Sequence, residues 1–403
     1  MAFVKRCAAI IGLCACACGG AKAPAAASSA GEPPGAPSAD DLAVASLLGA
    51  GDTPPSFFLV YDAAADSIQP FYPTALGFNP AVDDELWITL RQPLTDQVCD
   101  DGDTTGCPWL IGRVAIVHGA TAAPGTPATS EVKEDANAWH FMRRPTSISF
   151  GDDDTFSTCA EARTSNYEDE DVPYNGPVLW SADPSIFGAT PPADSPTHST
   201  HIDMLHESPY CMGVAHQRDN VYWAFNGDAG SLDRYDFHAP HEPGGDDHSD
   251  GELERYATGA VSRVPEVPSH LVFDPDTALL YAADSGNGRI VALDTTAGTP
   301  GAEVTTYDPI QIHVSIDGWK LTNVVAPGRL AVPSGLALYQ GVLFVTDAFN
   351  GHIVAYDRQG HTLADLDTGL PVDALGGITI GPDGRAYVAD AANRRVFRID
   401  PAE

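Results

Sequence analysis

Three segments in the last third of the chain repeat one another, and this repetition constrains the fold more than any other feature. They read VPSHLVFDPDTALLYAADSGNGRIVALD (residues 267–294), VPSGLALYQGVLFVTDAFNGHIVAYD (332–357) and ALGGITIGPDGRAYVADAANRRVFRID (374–400). Each gives a strand, a turn, a second strand ending in Asp, an Asn/Gly turn and a third strand. The strands are short, alternating and rich in Val, Ile, Leu and Tyr, as a meander requires. Asp284, Asp347 and Asp390 end the second strands, and Asn287, Asn350 and Asn393 follow three residues later. At that spacing an amide side chain accepts and donates inside a tight turn. The 38 Gly and 33 Pro among 403 residues fit many turns and few long helices.

The pattern P-x-x-L…L-Y-V-x-D-x-x-N-x-R-I resembles NHL repeats, whose blades form β-propellers. Weaker copies lie upstream. Pro209 to Val214 leads into NVYWAFNGDAGSLDRYDF, where Phe225 or Asn226 replaces the aspartate; Pro145–Phe150 and Pro73–Phe78 read as inner strands of two further blades. The total is six. The last blade ends after its third strand at Ile399, while SFFLVYD at 56–62 is a strand without a blade. The expected fold is therefore all-β, a six-bladed propeller of four-stranded antiparallel blades closed by an N-terminal strand. In register, Thr74, Thr146, Tyr210, Ser269, Ser334 and Gly376 form one ring at the channel, and Ala75, Ser147, Cys211, His270, Gly335 and Gly377 the next. Of these, Tyr210, Cys211 and His270 are the reactive side chains expected at the channel mouth.

Eight of the 13 histidines fall between residues 198 and 270. Two segments concentrate them with aspartate. The first is His198-Ser-Thr-His201-Ile-Asp203-Met-Leu-His206; the second runs from His238 through His241, Asp246, Asp247 and His248 to Asp250. Both are expected in loops of blade 3, where loops from one end of adjoining strands meet. Imidazole with carboxylate suits Zn²⁺ or another transition ion, whereas the Asp-rich part alone suits Ca²⁺. The candidate ligands are His201, Asp203, His206, His216, His248, Asp250 and His270. The competing reading makes the histidines solvated and the aspartates acceptors for turn amides. No H-E-x-x-H or G-x-S-x-G motif is present.

The N-terminus, MAFVKRCAAIIGLCACAC, has Lys5 and Arg6 before an apolar run too short to span a bilayer, as a signal peptide does. Leu13-Cys14-Ala15-Cys16 resembles the bacterial lipobox, which implies lipidation at Cys16, with Cys18 as the alternative. Neither cysteine is followed by Asp, which in Gram-negative lipoproteins favours outer-membrane sorting. Residues 1–18 are then an export signal, 19–52 an Ala/Pro/Ser/Gly-rich tether and 53–403 a single propeller domain. Export places the remaining Cys99, Cys107, Cys159 and Cys211 in an oxidising compartment. Four cysteines allow three pairings. Cys99–Cys107 closes a short Asp/Gly-rich loop, which leaves Cys159–Cys211; a free Cys211 thiol is the alternative.

The chain carries 55 Asp+Glu against 21 Lys+Arg, a formal net charge of −34. Such a surface repels phosphate backbones and anionic lipid, so nucleic acid is excluded and membrane attachment is by the lipid anchor only. Residues 151–260 hold 22 acidic side chains against 4 basic ones, the same stretch that holds most of the histidine. Two functions fit. One is a monomeric, surface-anchored platform for a protein or small-molecule ligand, with a divalent cation in the His/Asp-rich loops. The other is a metal-dependent enzyme of lyase or lactonase type. Resemblance to the lyases implies histidine directly after the proline of several inner strands, but Thr74, Thr146, Tyr210, Ser269 and Ser334 stand there.

Overall fold

The alternating segments pair into six antiparallel meanders whose innermost strands neighbour one another in a closed circle. The computed structural model describes residues 36–49, 53–66, 70–93, 110–126, 128–165, 173–190 and 199–402. Blade 1 holds Tyr72–Phe78, Glu85–Arg91, Gly112–His118 and Thr129–Lys133; blade 2 holds Pro145–Phe150, Thr155–Ala160, Val178–Ser181 and His201–Met204. Blade 3 is built from Cys211–Arg218, Val221–Asn226, Ser231–Asp236 and Glu252–Tyr256, and blade 4 from Leu271–Asp274, Leu279–Asp284, Arg289–Asp294 and Lys320–Val325. Blade 5 follows with Pro333–Tyr339, Val342–Asp347, His352–Tyr356 and Thr362–Asp367. Blade 6 has Leu375–Ile380, Ala386–Asp390 and Arg395–Asp400, and takes Ser56–Asp62 as its outer strand. That last pairing sets Ser56 against Asp400 and Phe57 against Ile399, so the two ends of the domain close the ring. The expected six-bladed propeller is the observed fold.

Alternation along each strand places apolar side chains on both faces, because every blade has a neighbour on each side. The core is accordingly six apolar clusters, one at each blade boundary. Trp87 of blade 1, for example, meets Phe150 and Phe156 of blade 2 edge-on at centroid distances of 5.4 and 5.0 Å. The repeated Asp/Asn pair ties each turn. Asn287 Nδ2 donates to Asp284 Oδ2 at 2.9 Å, Asn350 to Asp347 at 3.0 Å and Asn393 to Asp390 at 2.8 Å. Two of these aspartates also accept backbone amides from the segment leading into the inner strand, Asp347 from Ala331 at 2.7 Å and Asp284 from Ser262 at 2.8 Å.

Three features depart from a plain repeat. The connection between the third and fourth strands of blade 4 forms a hairpin, Thr299–Glu303 and Ile312–Asp317, that adds to blade 3 in parallel with Glu252–Tyr256 and makes a six-stranded sheet. A short helix, Ala39–Ala45, capped by Ser38, lies inside the segment expected as tether; Ala45 and Leu48 are buried with blades 5 and 6. Cys159 of blade 2 is bonded to Cys211 of blade 3, so the expected bridge joins two blades and Cys211 is not a free thiol. Cys16, Cys18, Cys99, Cys107 and His198 lie outside the described residues. Among the described residues no helix is long and apolar enough to cross a membrane.

The channel is narrow because small residues line it. A Cβ at Gly377 would lie 2.9 Å from both Ala75 Cα and His270 Cε1. Threonine hydroxyls link neighbouring inner strands: Thr74 Oγ1 donates to the Pro145 carbonyl at 3.0 Å and Thr146 Oγ1 to that of Cys211 at 2.8 Å.

Candidate metal centre

His201, His241 and His248 each offer a ring nitrogen within 4.8 Å of the other two. They come from two blades. His201 begins the outer strand of blade 2, whereas His241 and His248 lie in the loop between Ser231–Asp236 and Glu252–Tyr256 of blade 3. The expectation that all of them sit in blade 3 loops is thus half met: the pleat of a strand, and not a loop, aims His201 and Asp203. The loop reaches this strand through backbone bonds, with His241 N–H donating to the Ile202 carbonyl at 3.0 Å and Gly244 N–H to that of His201 at 2.9 Å. Gly244 has φ +83 and a Cβ there would lie 2.7 Å from the Ser199 carbonyl, so only glycine permits this approach.

Hydrogen bonds fix the ring orientations. His248 Nδ1 donates to Asp203 Oδ1 at 2.9 Å, and His241 Nδ1 donates to the Glu242 carbonyl at 2.8 Å. Each ring therefore keeps Nε2 as its lone-pair nitrogen, the arrangement in which a metal-binding imidazole is held through its other nitrogen. His201 stacks on Phe141 at a centroid distance of 3.9 Å, which fixes the third ring. Asp203 is buried, and burial raises its pKa although its bond to His248 works the other way. On His248 burial opposes the charge, but the Asp203 bond and charge outweigh it and raise the pKa above its ordinary value.

The remaining sequence candidates fall around or away from this group. His206 sits next to it, its ring 6.3 Å from that of His248, with Nδ1 bonded to Asp308 Oδ2 at 3.0 Å. Asp308 belongs to the blade 4 insertion and also accepts the His206 amide at 2.8 Å. Neighbouring Glu207 accepts the Tyr307 and Asp308 amides, and burial pushes its carboxyl up to about 7. Asp250 accepts the Ala239 amide at 3.2 Å, the turn role weighed for the loop aspartates. His216 donates to the Asp219 carbonyl at 2.9 Å near the end of the inner strand of blade 3. His270 is 8% exposed and points inward; its Nε2 donates across the channel to the Thr146 carbonyl, two blades away, at 2.9 Å. Burial drives its pKa down to about 4, so it is a neutral channel plug. His241 and Asp308 are the participants that sequence reasoning left out. A Gly-Gly turn between His241 and His248 was visible, whereas nothing in the sequence ties Asp308 to a residue about a hundred positions earlier.

A second group, Asp236, His238 and Glu252, lies on the outer part of blade 3, where His238 Nε2 is 3.2 Å from Glu252 Oε1. Its imidazole is 41% exposed and faces carboxylates on both sides. That is an ordinary surface ion-pair arrangement.

No protein-family model matches the chain, and no curated protein sequence matches it significantly. Solved structures similar in fold include an auxiliary nutrient binding protein from Bacteroides thetaiotaomicron, 12% identical over 87% of this chain and 78% of that chain, with a TM-score of 0.48. Virginiamycin B lyase from Staphylococcus aureus is 10% identical over 86% of this chain and 98% of its own, TM-score 0.46. Regucalcin, a calcium-binding protein from Agrobacterium tumefaciens, is 13% identical over 86% and 96%, TM-score 0.45. Identities of this size concern the chain path, and ligand and activity do not travel with a fold.

Proposed function

We propose that the protein is an exported, lipid-anchored binding propeller that holds a transition-metal ion between blades 2 and 3. The observation that carries this reading is the convergence of His201, His241 and His248 with two of the three rings tethered through Nδ1. Three imidazoles favour zinc or a neighbouring transition ion over calcium, which takes oxygen ligands. Three protein nitrogens leave a tetrahedral ion one position for a donor atom of a ligand. His241 and His248 are partly exposed as residues, but Nε2 of His241 is buried, so the open position faces the interior between the blades. The Lys5-Arg6 pair, the short apolar run and the Leu13–Cys16 motif support export and anchoring at the outer membrane or cell surface. The side-chain hydrogen bonds of His270 and His216 go to backbone carbonyls, and His216 also lies 3.6 Å from the exposed Asp152 carboxylate, so neither joins the three-histidine group.

Equilibrium dialysis of the full chain against zinc, nickel and calcium tests the proposal. About one transition ion per chain should be retained, calcium should not, and His241→Ala or His248→Ala should abolish retention. Retention that survives both substitutions, or no retention at all, contradicts it.

A further inference from the structure

The face of the propeller where the inner strands begin carries a second, chemically different site. Arg91, Arg144 and Arg263 share two carboxylates, Glu161 and Glu266. Arg91 Nη2 lies 2.6 Å from Glu161 and 2.9 Å from Glu266; Arg263 Nη1 is 2.7 Å from Glu161. Arg144 Nη2 contacts both carboxylates, Glu161 at 3.2 Å. Burial works against the charge of Glu161, but Arg91 and Arg144 outweigh it and hold its pKa below the usual value, so the carboxylate is ionised. Three guanidiniums against two carboxylates leave a positive excess in a protein of net charge −34. Among the described residues, Nε and Nη1 of Arg91 and Nε of Arg144 are buried without a hydrogen-bond partner. Their side chains are 0% and 6% exposed. Orphaned N–H groups of a buried cation cost more than a neutral donor does, so this network carries guanidinium charge that its own carboxylates do not fully satisfy.

Each of two cavities is lined by part of this network. A polar one of about 150 Å³ is lined by Arg143, Arg144, Arg163 and Tyr210, with Glu161 at its wall. A larger one, about 550 Å³, opens at the channel mouth and is mainly apolar, with Pro73, Val264, Val267, Pro268 and Leu375 in its lining; its charged lining residues are Glu266 and Asp373, so its cationic partner has to be Arg144 behind Glu266. Glu266 lines the larger cavity and its carboxylate is bonded to Arg144, which lines the smaller one. The backbone is committed to this arrangement: Arg144, Tyr210 and Glu266 all adopt left-handed φ values, 53, 51 and 72°. Non-glycine residues held there cost free energy and cluster at binding sites. Arg263 stacks over the Tyr210 ring at 3.9 Å, which fixes the rim.

We propose that this mouth binds an apolar monocarboxylate, its hydrocarbon body in the larger cavity and its carboxylate on Arg144 in exchange for part of the Glu266 contact. The size suits a small organic ligand, and guanidinium is the natural partner of a carboxylate. The site is separate from the metal centre and does not depend on it.

The probes are octanoate, octanol and octylamine, titrated calorimetrically into the full chain. Octanoate should bind about tenfold tighter than octanol, the effect of one charge-assisted hydrogen bond. Octylamine should bind weakest. Arg144→Gln should remove the preference for octanoate while octanol is unaffected, and His248→Ala should change none of the three. Glu266→Gln removes the internal competitor and should tighten octanoate several-fold, a gain that a misfolded variant does not produce. Equal affinity for octanoate and octanol, a preference for octylamine, or weaker octanoate binding by Glu266→Gln overturns the proposal.

Discussion

His270 offers a quantitative test of the channel as the structure describes it. Its ring reaches across the channel beside Gly377, and its Nε2 donates to the Thr146 carbonyl of a blade it does not adjoin in sequence. Burial lowers its pKa from the ordinary 6.5 to about 4, with the Thr146 bond opposing that shift. The sign follows from linkage. A histidine whose folded pKa is depressed contributes stability that is complete above its unfolded value and is lost as pH falls toward the folded one. The shift corresponds to about 3 kcal/mol between pH 7.5 and pH 4, a large share of the 5–15 kcal/mol typical of a folded domain. His270→Gln keeps an amide donor for Thr146 but cannot titrate in this range. Urea unfolding of both proteins at a series of pH values isolates the effect, because the many carboxylates titrate alike in both. The wild-type advantage should shrink, or reverse, by about 3 kcal/mol on going from pH 7.5 to pH 4. Parallel stability curves would show that the imidazole is hydrated or charged in the channel, and would refute the plugged-axis description.

Other consequences are equally checkable. Because Asp203 raises the pKa of His248, protons compete with metal to a higher pH than at a free imidazole; zinc affinity should fall as pH is lowered, and Asp203→Asn should weaken it roughly 10- to 100-fold by titration with a chromophoric chelator. Asp308→Ala strips the partner from both the amide and the Nδ1–H of buried His206, and should cost about 2–3 kcal/mol in urea unfolding together with faster hydrogen exchange in the 299–317 hairpin. The Cys159–Cys211 bridge spans 52 residues of sequence, so replacing both cysteines with Ala should cost about 4 kcal/mol on chain-entropy grounds; a loss confined to reducing conditions in the wild type provides the control.

Legibility from sequence followed the locality of the interactions. The blade turns were readable because their partners are three residues apart, as Asp284 and Asn287 are, and the three copies reinforce one another. Closure by Ser56–Asp62 was readable as a matter of strand count, since one blade lacked a strand and one strand lacked a blade. Cys159–Cys211 followed from the small number of pairings. The candidate metal centre was only partly readable. Its histidine density was visible, but the division between an outer strand of blade 2 and a loop of blade 3 depends on where blade 2 ends, and irregular loops hide that boundary. Asp250 and His216 looked equivalent to His248 by composition, and only the fold separates turn acceptors from side chains that converge. The Asp308–His206 pair was invisible because a hairpin leaves its own blade to add to the preceding one. The arginine network was hidden for the same reason: Arg91, Arg144 and Arg263 come from three blades and carry no shared motif.

The central claim is that His201, His241 and His248 form one metal centre. Anomalous diffraction at the zinc absorption edge from crystals of the protein grown with stoichiometric zinc addresses it directly. The account predicts a single strong peak about 2.0–2.1 Å from the Nε2 atoms of His241 and His248 and from a ring nitrogen of His201. A peak at Asp236, His238 and Glu252 instead, or none at the three histidines, would contradict it.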